Sequence, residues 1–133
     1  MLTGLRLQNF KAWQDSGDIR LAPLTVLFGT NSAGKTSIPQ LLLLLKQTAE
    51  SSDRLRALHL GDDRTLVDAG TYDDAVHGHD VSQPLEFTFA WSLEKALDIR
   101  DPISGVKYAG SDLQFSARLG ADQRHQPRVE WFR

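Results

Sequence analysis

Alternating apolar and polar residues near the N-terminus predict a strand with one buried face. Leu5 and Leu7 alternate with polar neighbours, and after a slip of one position Phe10 continues the apolar side. A turn follows at Gly17, and Ile19–Leu21 predicts a short strand that returns along the first. The start of the chain is therefore predicted to form a small antiparallel unit.

The second half of the chain repeats this alternation three times. Apolar residues stand at every second position in three segments: Leu85–Trp91, Leu113–Leu119 and Val129–Phe132. Such segments, separated by turn residues, predict an antiparallel meander. On the first of these strands the aromatic residues alternate as a core-facing set would: Phe87, Phe89 and Trp91.

Between these regions, a largely apolar run is followed by a helical segment. The run Leu24–Phe28 predicts a strand buried on both faces. The segment from Thr36 to about Ala49 predicts a helix, and because leucines cover every side it is expected to be buried rather than amphipathic. If this helix begins near Gly34, Pro39 lies past its first turn, where proline costs about 3 kcal/mol and predicts a kink.

Residues 51–84 are polar and rich in turn residues, and the composition as a whole is that of an ordinary globular domain. The net charge of −2 does not favour a surface that coats a polyanion, and the lack of cysteine excludes disulfides and thiolate sites. No secretory signal is visible, and Leu41–Leu45 is far short of the roughly 20 apolar residues that cross a bilayer. We therefore expect a cytoplasmic protein without a membrane partner.

The segment Gly29–Thr36 has the spacing G-x-x-x-x-G-K-T and stands between the predicted strand and the predicted helix. Gly29 and Gly34 permit backbone angles that let the chain close around a phosphate. The amide groups of such a loop form an anion nest, to which the helix N-terminus adds its positive dipole end. The predicted phosphate-binding residues are consecutive: Gly29, Thr30, Asn31, Ser32, Ala33, Gly34, Lys35, Thr36 and Ser37.

Two side chains of this segment indicate which phosphates are bound. Lys35 places a compact positive charge against the β- and γ-phosphates of a nucleotide. Thr36 offers a hydroxyl group to Mg²⁺, which bridges the same phosphates. We therefore predict ATP and Mg²⁺ as the cofactors, with Thr36 as the metal ligand.

The sequence around this loop resembles a group of known ATPases. Leu5–Lys11 resembles the opening of the ABC-type ATPases of the RecF, SMC and OLD group, in which a strand ending in Asn-Phe-Lys or Asn-Phe-Arg precedes the loop. Leu24–Phe28 with its loop, Leu42–Thr48 and Leu66–His77 are similar to the AAA-15/DUF3696-like branch of that group. The similarity covers about residues 2–92.

The resemblance implies an α/β fold, namely a P-loop NTPase core that forms the N-terminal lobe of an ABC-ATPase-like head and carries an antiparallel β meander. Residues 1–133 would be a single lobe. Within it, 1–50 hold the first strands, the loop and the helix, 51–84 form a polar loop region, and 85–133 form antiparallel strands. In this group two heads enclose ATP, which implies a homodimer or a partner ATPase or nuclease domain, in DNA maintenance or phage defence.

Several parts of a hydrolytic head are not recognisable in the sequence. No run of apolar residues ends in Asp-Glu, as a Walker B strand would, and Leu66–Asp68 is too short and too near the loop. No signature loop or switch histidine is recognisable either, so the chain is predicted to be a fragment whose ATPase activity belongs to the complete protein. If the chain were active alone, Glu86 would be the first carboxylate to test. A non-enzymatic nucleotide sensor and a fragment of an ABC transporter ATPase remain alternatives.

A cluster of histidine and aspartate residues allows a metal site, but the spacing matches no strong zinc pattern. The residues concerned are Asp73, Asp74, His77, His79 and Asp80. A solvated acidic loop is the favoured interpretation.

Two further alternatives concern ligand contacts outside the loop. Lys11 and Trp13 follow the first strand where this group often contacts the nucleotide, although ordinary surface and core roles are favoured. Four arginines lie near the end of the chain: Arg118, Arg124, Arg128 and Arg133. Asp122 and Glu130 offset their charge, so these arginines favour nucleic acid as a ligand only weakly.

Overall fold

The computed structural model describes residues 1–133 as a six-stranded antiparallel sheet with one long helix. In chain order the elements are β1 (Leu2–Phe10), β2 (Trp13–Asp15), β3 (Ile19–Arg20), α1 (Ser37–Glu50), α2 (Tyr72–Ala75), a 3₁₀ turn (His77–His79), β4 (Leu85–Arg100), β5 (Lys107–Ala121) and β6 (Pro127–Phe132). The strands lie in the order β2-β1-β4-β5-β6, and β3 also pairs with β1. The predicted antiparallel meander is confirmed.

One face of this sheet carries the core. Leu5 lies opposite Phe89 and Leu7 opposite Phe87 between β1 and β4, and Leu85 lies opposite Leu119 between β4 and β5. All are buried in one hydrophobic cluster, against which the partly buried Trp91 packs. The alternation of strand side chains thus directs the predicted aromatic set to the core.

Helix α1 contributes one face to the same cluster. Its buried apolar residues are Ile38, Leu41 and Leu44, which are spaced three apart. Leu42 and Leu45 are only partly buried. The expectation of a helix buried on all sides is therefore wrong, because the single sheet of this chain covers only one side of the helix.

The position of Pro39 also differs from the prediction. Helix α1 begins at Ser37 with Thr36 as its N-cap, so Pro39 lies in the first turn rather than past it. The amide groups of a first turn have no partner within the helix, and a proline there removes no hydrogen bond. The expected clash does not arise, and the amide of Gln40 bonds Thr36 O at 3.1 Å.

The predicted buried strand Leu24–Phe28 is absent. These residues are irregular, and the side chains of Leu24 and Phe28 are 81% and 90% exposed. None of the five backbone amides donates a hydrogen bond within the chain. A strand buried on both faces needs neighbouring strands and covering helices, and here the antiparallel sheet is built from other segments. The α/β core predicted around the loop is therefore not formed by this chain alone.

Residues 51–84 are tied to the core by polar side chains. Gln47 of α1 is buried, and its Nε2 donates to His59 O at 2.7 Å and to Val67 O at 3.1 Å. Leu58 and Tyr72 lie in the hydrophobic cluster. The polar composition of residues 51–84 does not indicate that they pack against the core.

None of the helices in the chain has the length and apolar character that a membrane span requires.

Candidate functional site

The loop Gly29–Thr36 makes a turn of unusual backbone geometry before α1. Ser32 has a φ of +65° and Gly34 a φ of +80°, both in the left-handed region. A side chain at Gly34 would meet a second obstacle, since its Cβ would lie 2.8 Å from Ala12 Cβ and 2.9 Å from Trp13 Nε1. Glycine is therefore required at position 34 on both conformational and steric grounds.

The amides of this loop donate almost no hydrogen bonds to the chain. Only Ala33 N has an acceptor, Thr30 O at 3.3 Å, whereas the other amides have none. The amides without an acceptor are those of Gly29, Thr30, Asn31, Ser32, Gly34, Lys35 and Thr36. Because α1 follows directly, the positive end of its dipole adds to these donors. The arrangement suits an anion with several acceptor oxygens.

Lys35 and Thr36 lie where the loop meets the helix. The ammonium group of Lys35 donates to Gly29 O at 2.9 Å and to Thr30 O at 2.5 Å, so it lies over the start of its own loop. Thr36 is exposed. Ser37 is buried, and its amide closes the turn onto Gly34 O at 3.0 Å.

Trp13 holds the loop against the sheet. Its indole N–H donates to Gly34 O at 3.0 Å, which joins β2 to the turn before α1. The structure thus gives Trp13 a positioning contact with the loop backbone. The sequence offers for Trp13 only a contact with the nucleotide or an ordinary surface or core role.

A second segment lines the same cavity as the loop, a space of about 380 Å³. Ser32–Ser37 contribute to its lining, and so do Lys11, Asp74 and His79. Lys11 has a φ of +50°, and its ammonium group donates to Ala69 O at 3.0 Å. From the sequence, Lys11 is a candidate nucleotide contact, and Asp74 and His79 are members of a histidine and aspartate cluster. The sequence does not place Asp74 and His79 at the loop, because they lie about 40 positions beyond it along the chain.

The histidines of this segment bind neighbouring groups of the chain. His77 Nδ1 lies 2.9 Å from Lys11 O, and His79 Nδ1 lies 2.9 Å from Asp73 O. Asp73 also reaches His125 Nδ1 at 2.9 Å. No group of three or more histidine, aspartate or glutamate side chains is arranged to hold a metal ion. These contacts fix the segment to its surroundings.

A larger cleft of about 870 Å³ lies on the other side of Trp13. Ion pairs occupy its polar walls: Glu86 Oε1 lies 2.6 Å from Arg118 Nη2, and Asp15 Oδ2 lies 2.7 Å from Arg6 Nη2. The hydrogen bond from Arg6 lowers the pKa of Asp15 to about 2. Glu86 therefore faces an arginine in this cleft and does not line the cavity at the loop.

The C-terminal arginines do not form one patch. Arg118 and Arg133 lie 5.7 and 5.4 Å from the ring centre of Trp131. Arg124 and Arg128 line a different concavity together with Asp122. Because the four arginines are separated, their positions do not strengthen the weak indication of nucleic-acid binding that the sequence gives.

Unpaired amides, a lysine and a helix N-terminus are the parts of a phosphate-binding loop. The expected class of protein is therefore one that binds nucleotides. The family model of the AAA ATPase domain matches residues 1–103, well over half of the chain. The chain therefore belongs to the AAA ATPase domain family, a family of nucleotide-binding ATPases. A comparison with curated proteins finds no match.

Proposed function

We propose that the chain binds ATP with Mg²⁺ through the loop Gly29–Thr36. The observation that carries this proposal is the row of loop amides without acceptors beside the ammonium group of Lys35. Buried or clustered donors without partners are unfavourable unless a ligand or solvent accepts from them. The negatively charged oxygens of a triphosphate would accept from all of them at once.

Lys35 would exchange its two carbonyl acceptors for phosphate oxygens. Gly29 O and Thr30 O hold the ammonium group above the loop, so the charge already lies beside the free amides. Thr36 would hold Mg²⁺ through its hydroxyl, and the metal, when bound, supplies charge neutralisation for the phosphates. The remaining metal ligands would be phosphate oxygens and water, since Mg²⁺ rarely uses an all-protein cage.

We further propose that hydrolysis belongs to a larger assembly of the RecF/OLD-like kind. The described residues contain no apolar strand that ends in Asp-Glu, and Glu86 is paired with Arg118. A second copy or a partner ATPase or nuclease domain would supply the missing groups. The exposed segment Leu24–Phe28 supports such a partner, because its apolar side chains and unpaired backbone lie directly before the loop.

A nucleotide sensor remains the second candidate. The lack of an apolar strand that ends in Asp-Glu favours the sensor, because a sensor needs to bind ATP but not to hydrolyse it. Hydrolysis that begins when a partner domain is added would favour the ATPase, whereas tight binding without turnover in the assembled complex would favour the sensor.

Calorimetry of ATP binding with Lys35→Ala tests the site. Hydrogen bonds to charged groups are worth about 1.5–3 kcal/mol each, so a loss of affinity of about tenfold or more is expected. Lys46→Ala is the matched control, because Lys46 is an exposed lysine of α1 that pairs with Glu50 at 4.0 Å and lies outside the cavity. Equal ATP affinity of the wild type and Lys35→Ala would contradict the proposal.

Chelation of Mg²⁺ should weaken the binding of ATP more than that of AMP, which lacks the bridged phosphates.

A further inference from the structure

Asp74 places a carboxylate in the same cavity as the phosphate-binding loop. The loop residues Ser32–Ser37 and Asp74 line the same space. A negative side chain in a cavity shared with an anion nest needs an explanation, because it repels the anion that the nest would bind.

The position of Asp74 is fixed by its own turn. Thr71 N and Thr71 Oγ1 both donate to Asp74 Oδ2, at 2.9 and 2.7 Å, and Asp74 N lies 3.3 Å from Thr71 Oγ1. A Cβ at Gly70 would lie 2.6 Å from Asp74 Oδ2, so the glycine makes room for the carboxylate. The fully buried Tyr72 anchors the turn by donating to Leu119 O at 2.6 Å.

One carboxylate oxygen of Asp74 is left without a hydrogen bond. Oδ2 accepts both bonds from Thr71, whereas Oδ1 accepts none, and His79 Nδ1 lies 3.9 Å from Oδ1. His79 Nδ1 is itself 2.9 Å from Asp73 O. Lys11 Nζ bonds Ala69 O and forms no ion pair with Asp74. The bonds from Thr71 lower the pKa of Asp74, so the carboxylate is charged at neutral pH.

A divalent cation resolves the conflict between this carboxylate and a bound phosphate. Mg²⁺ retains several of its waters, and proteins bind it through one or two carboxylates together with the phosphates of the substrate. A carboxylate with one free oxygen, in the same cavity as the threonine that ends the loop, has the right chemistry to accept a hydrogen bond from such a water.

We propose that Asp74 is a positioning residue for the Mg²⁺ that accompanies the nucleotide, and that its free oxygen would accept a hydrogen bond from a metal-bound water in the cavity that Thr36 also lines. This inference rests on the proposed function, since it assumes that the loop binds the phosphates. It makes Asp74 selective: the residue opposes metal-free ATP and favours the magnesium complex.

The test measures ATP binding by calorimetry with and without Mg²⁺ for the wild type, Asp74→Asn and Asp73→Asn. Asparagine retains an oxygen for Thr71 and removes the charge. We expect Asp74→Asn to bind metal-free ATP at least as tightly as the wild type and to lose about tenfold or more of the gain in affinity that Mg²⁺ provides. Asp73→Asn is the matched control, because Asp73 is the adjacent carboxylate, binds His125 and does not line the cavity. It should behave as the wild type does.

A further variant separates metal positioning from the stability of the turn. Thr71→Ala removes the hydroxyl bond to Asp74 Oδ2 but keeps the carboxylate charge and the bond from Thr71 N. It should therefore lower the melting temperature and retain most of the gain from Mg²⁺. An equal gain in Asp74→Asn and the wild type would overturn the inference while leaving the proposed function intact. The same holds if Asp74→Asn weakens ATP binding equally with and without the metal. ATP binding by the wild type that is absent or independent of Lys35 would remove both proposals.

Discussion

At the scale of single residues, Asp15 is the carboxylate with the most strongly lowered pKa. Arg6 donates to it from Nε at 3.1 Å and from Nη2 at 2.7 Å, and Gly17 N donates at 2.8 Å. These bonds, led by those from Arg6, lower its pKa from 3.8 to about 2. The pair joins β1 to β2 but is substantially exposed, with side-chain exposures of 42% and 38%. Its contribution to stability is therefore the small one of a surface ion pair that solvent and salt screen.

This lowered pKa predicts how stability changes with pH. A carboxyl group whose pKa is lower in the folded state stabilises the fold above its unfolded pKa, here 3.8, and that contribution is lost as the pH falls toward about 2. Asp15→Asn should remove this part of the acid dependence. Urea denaturation between these pH values measures it, with Asp63→Asn, at an exposed position, as the control. Parallel pH profiles for the wild type and Asp15→Asn would contradict the prediction.

At the scale of elements, the start of α1 decides the role of Pro39. In the first turn a proline removes no hydrogen bond, and it also restricts the unfolded chain. Pro39→Ala should therefore change the free energy of unfolding by less than about 1 kcal/mol. Chemical denaturation checks this, and Leu44→Ala, at a fully buried position of the same helix, should cost about 2–5 kcal/mol. A gain of about 3 kcal/mol in Pro39→Ala would instead place the proline in the helix interior.

Periodicity predicted the elements whose partners lie close in sequence or whose pattern shows one buried face. Helix α1 was expected from Thr36 to about Ala49 and runs from Ser37 to Glu50. The prediction of a buried strand at Leu24–Phe28 is wrong. An apolar run indicates residues that are favourable to bury, but it does not show that neighbouring elements are present to cover them. The hydrogen bond from Gln47 to Val67 could not be predicted from the sequence. It joins two residues 20 positions apart, and such a contact produces no periodic pattern along the chain.

The same distinction applies to the candidate site. Gly29–Ser37 could be proposed as a site from the sequence because all of its donors belong to one local segment whose spacing implies the loop geometry. The sequence does not show that Asp74 shares a cavity with this loop, because that depends on the packing of its turn against β5. Trp13 was noticed for its position in the sequence, but its bond to Gly34 O depends on the turn between β1 and β2.

At the scale of the whole molecule, the isolated chain should bind ATP without turning it over. Phosphoryl transfer to water needs several groups placed at once, and the loop as we propose it would provide only a grip on the phosphates and one metal ligand. Release of phosphate by highly purified protein measures turnover, and Lys35→Ala controls for contaminating enzymes. Robust turnover that Lys35→Ala abolishes would show that the chain contains its own catalytic carboxylate. Asp74 would then be tested before Glu86, because only Asp74 lines the cavity.

The exposed segment before the loop also bears on how long a copy of this chain survives in a cell. No charged residue occurs between Arg20 and Lys35, and Leu24–Phe28 combines exposed apolar side chains with a backbone that has no internal partners. Extended, uncharged, apolar stretches of this kind promote self-association and stacking of strands. Molecular chaperones and proteases act on such stretches. A partner that covers Leu24–Phe28 would thus also protect the chain, and copies made in excess of that partner would be removed.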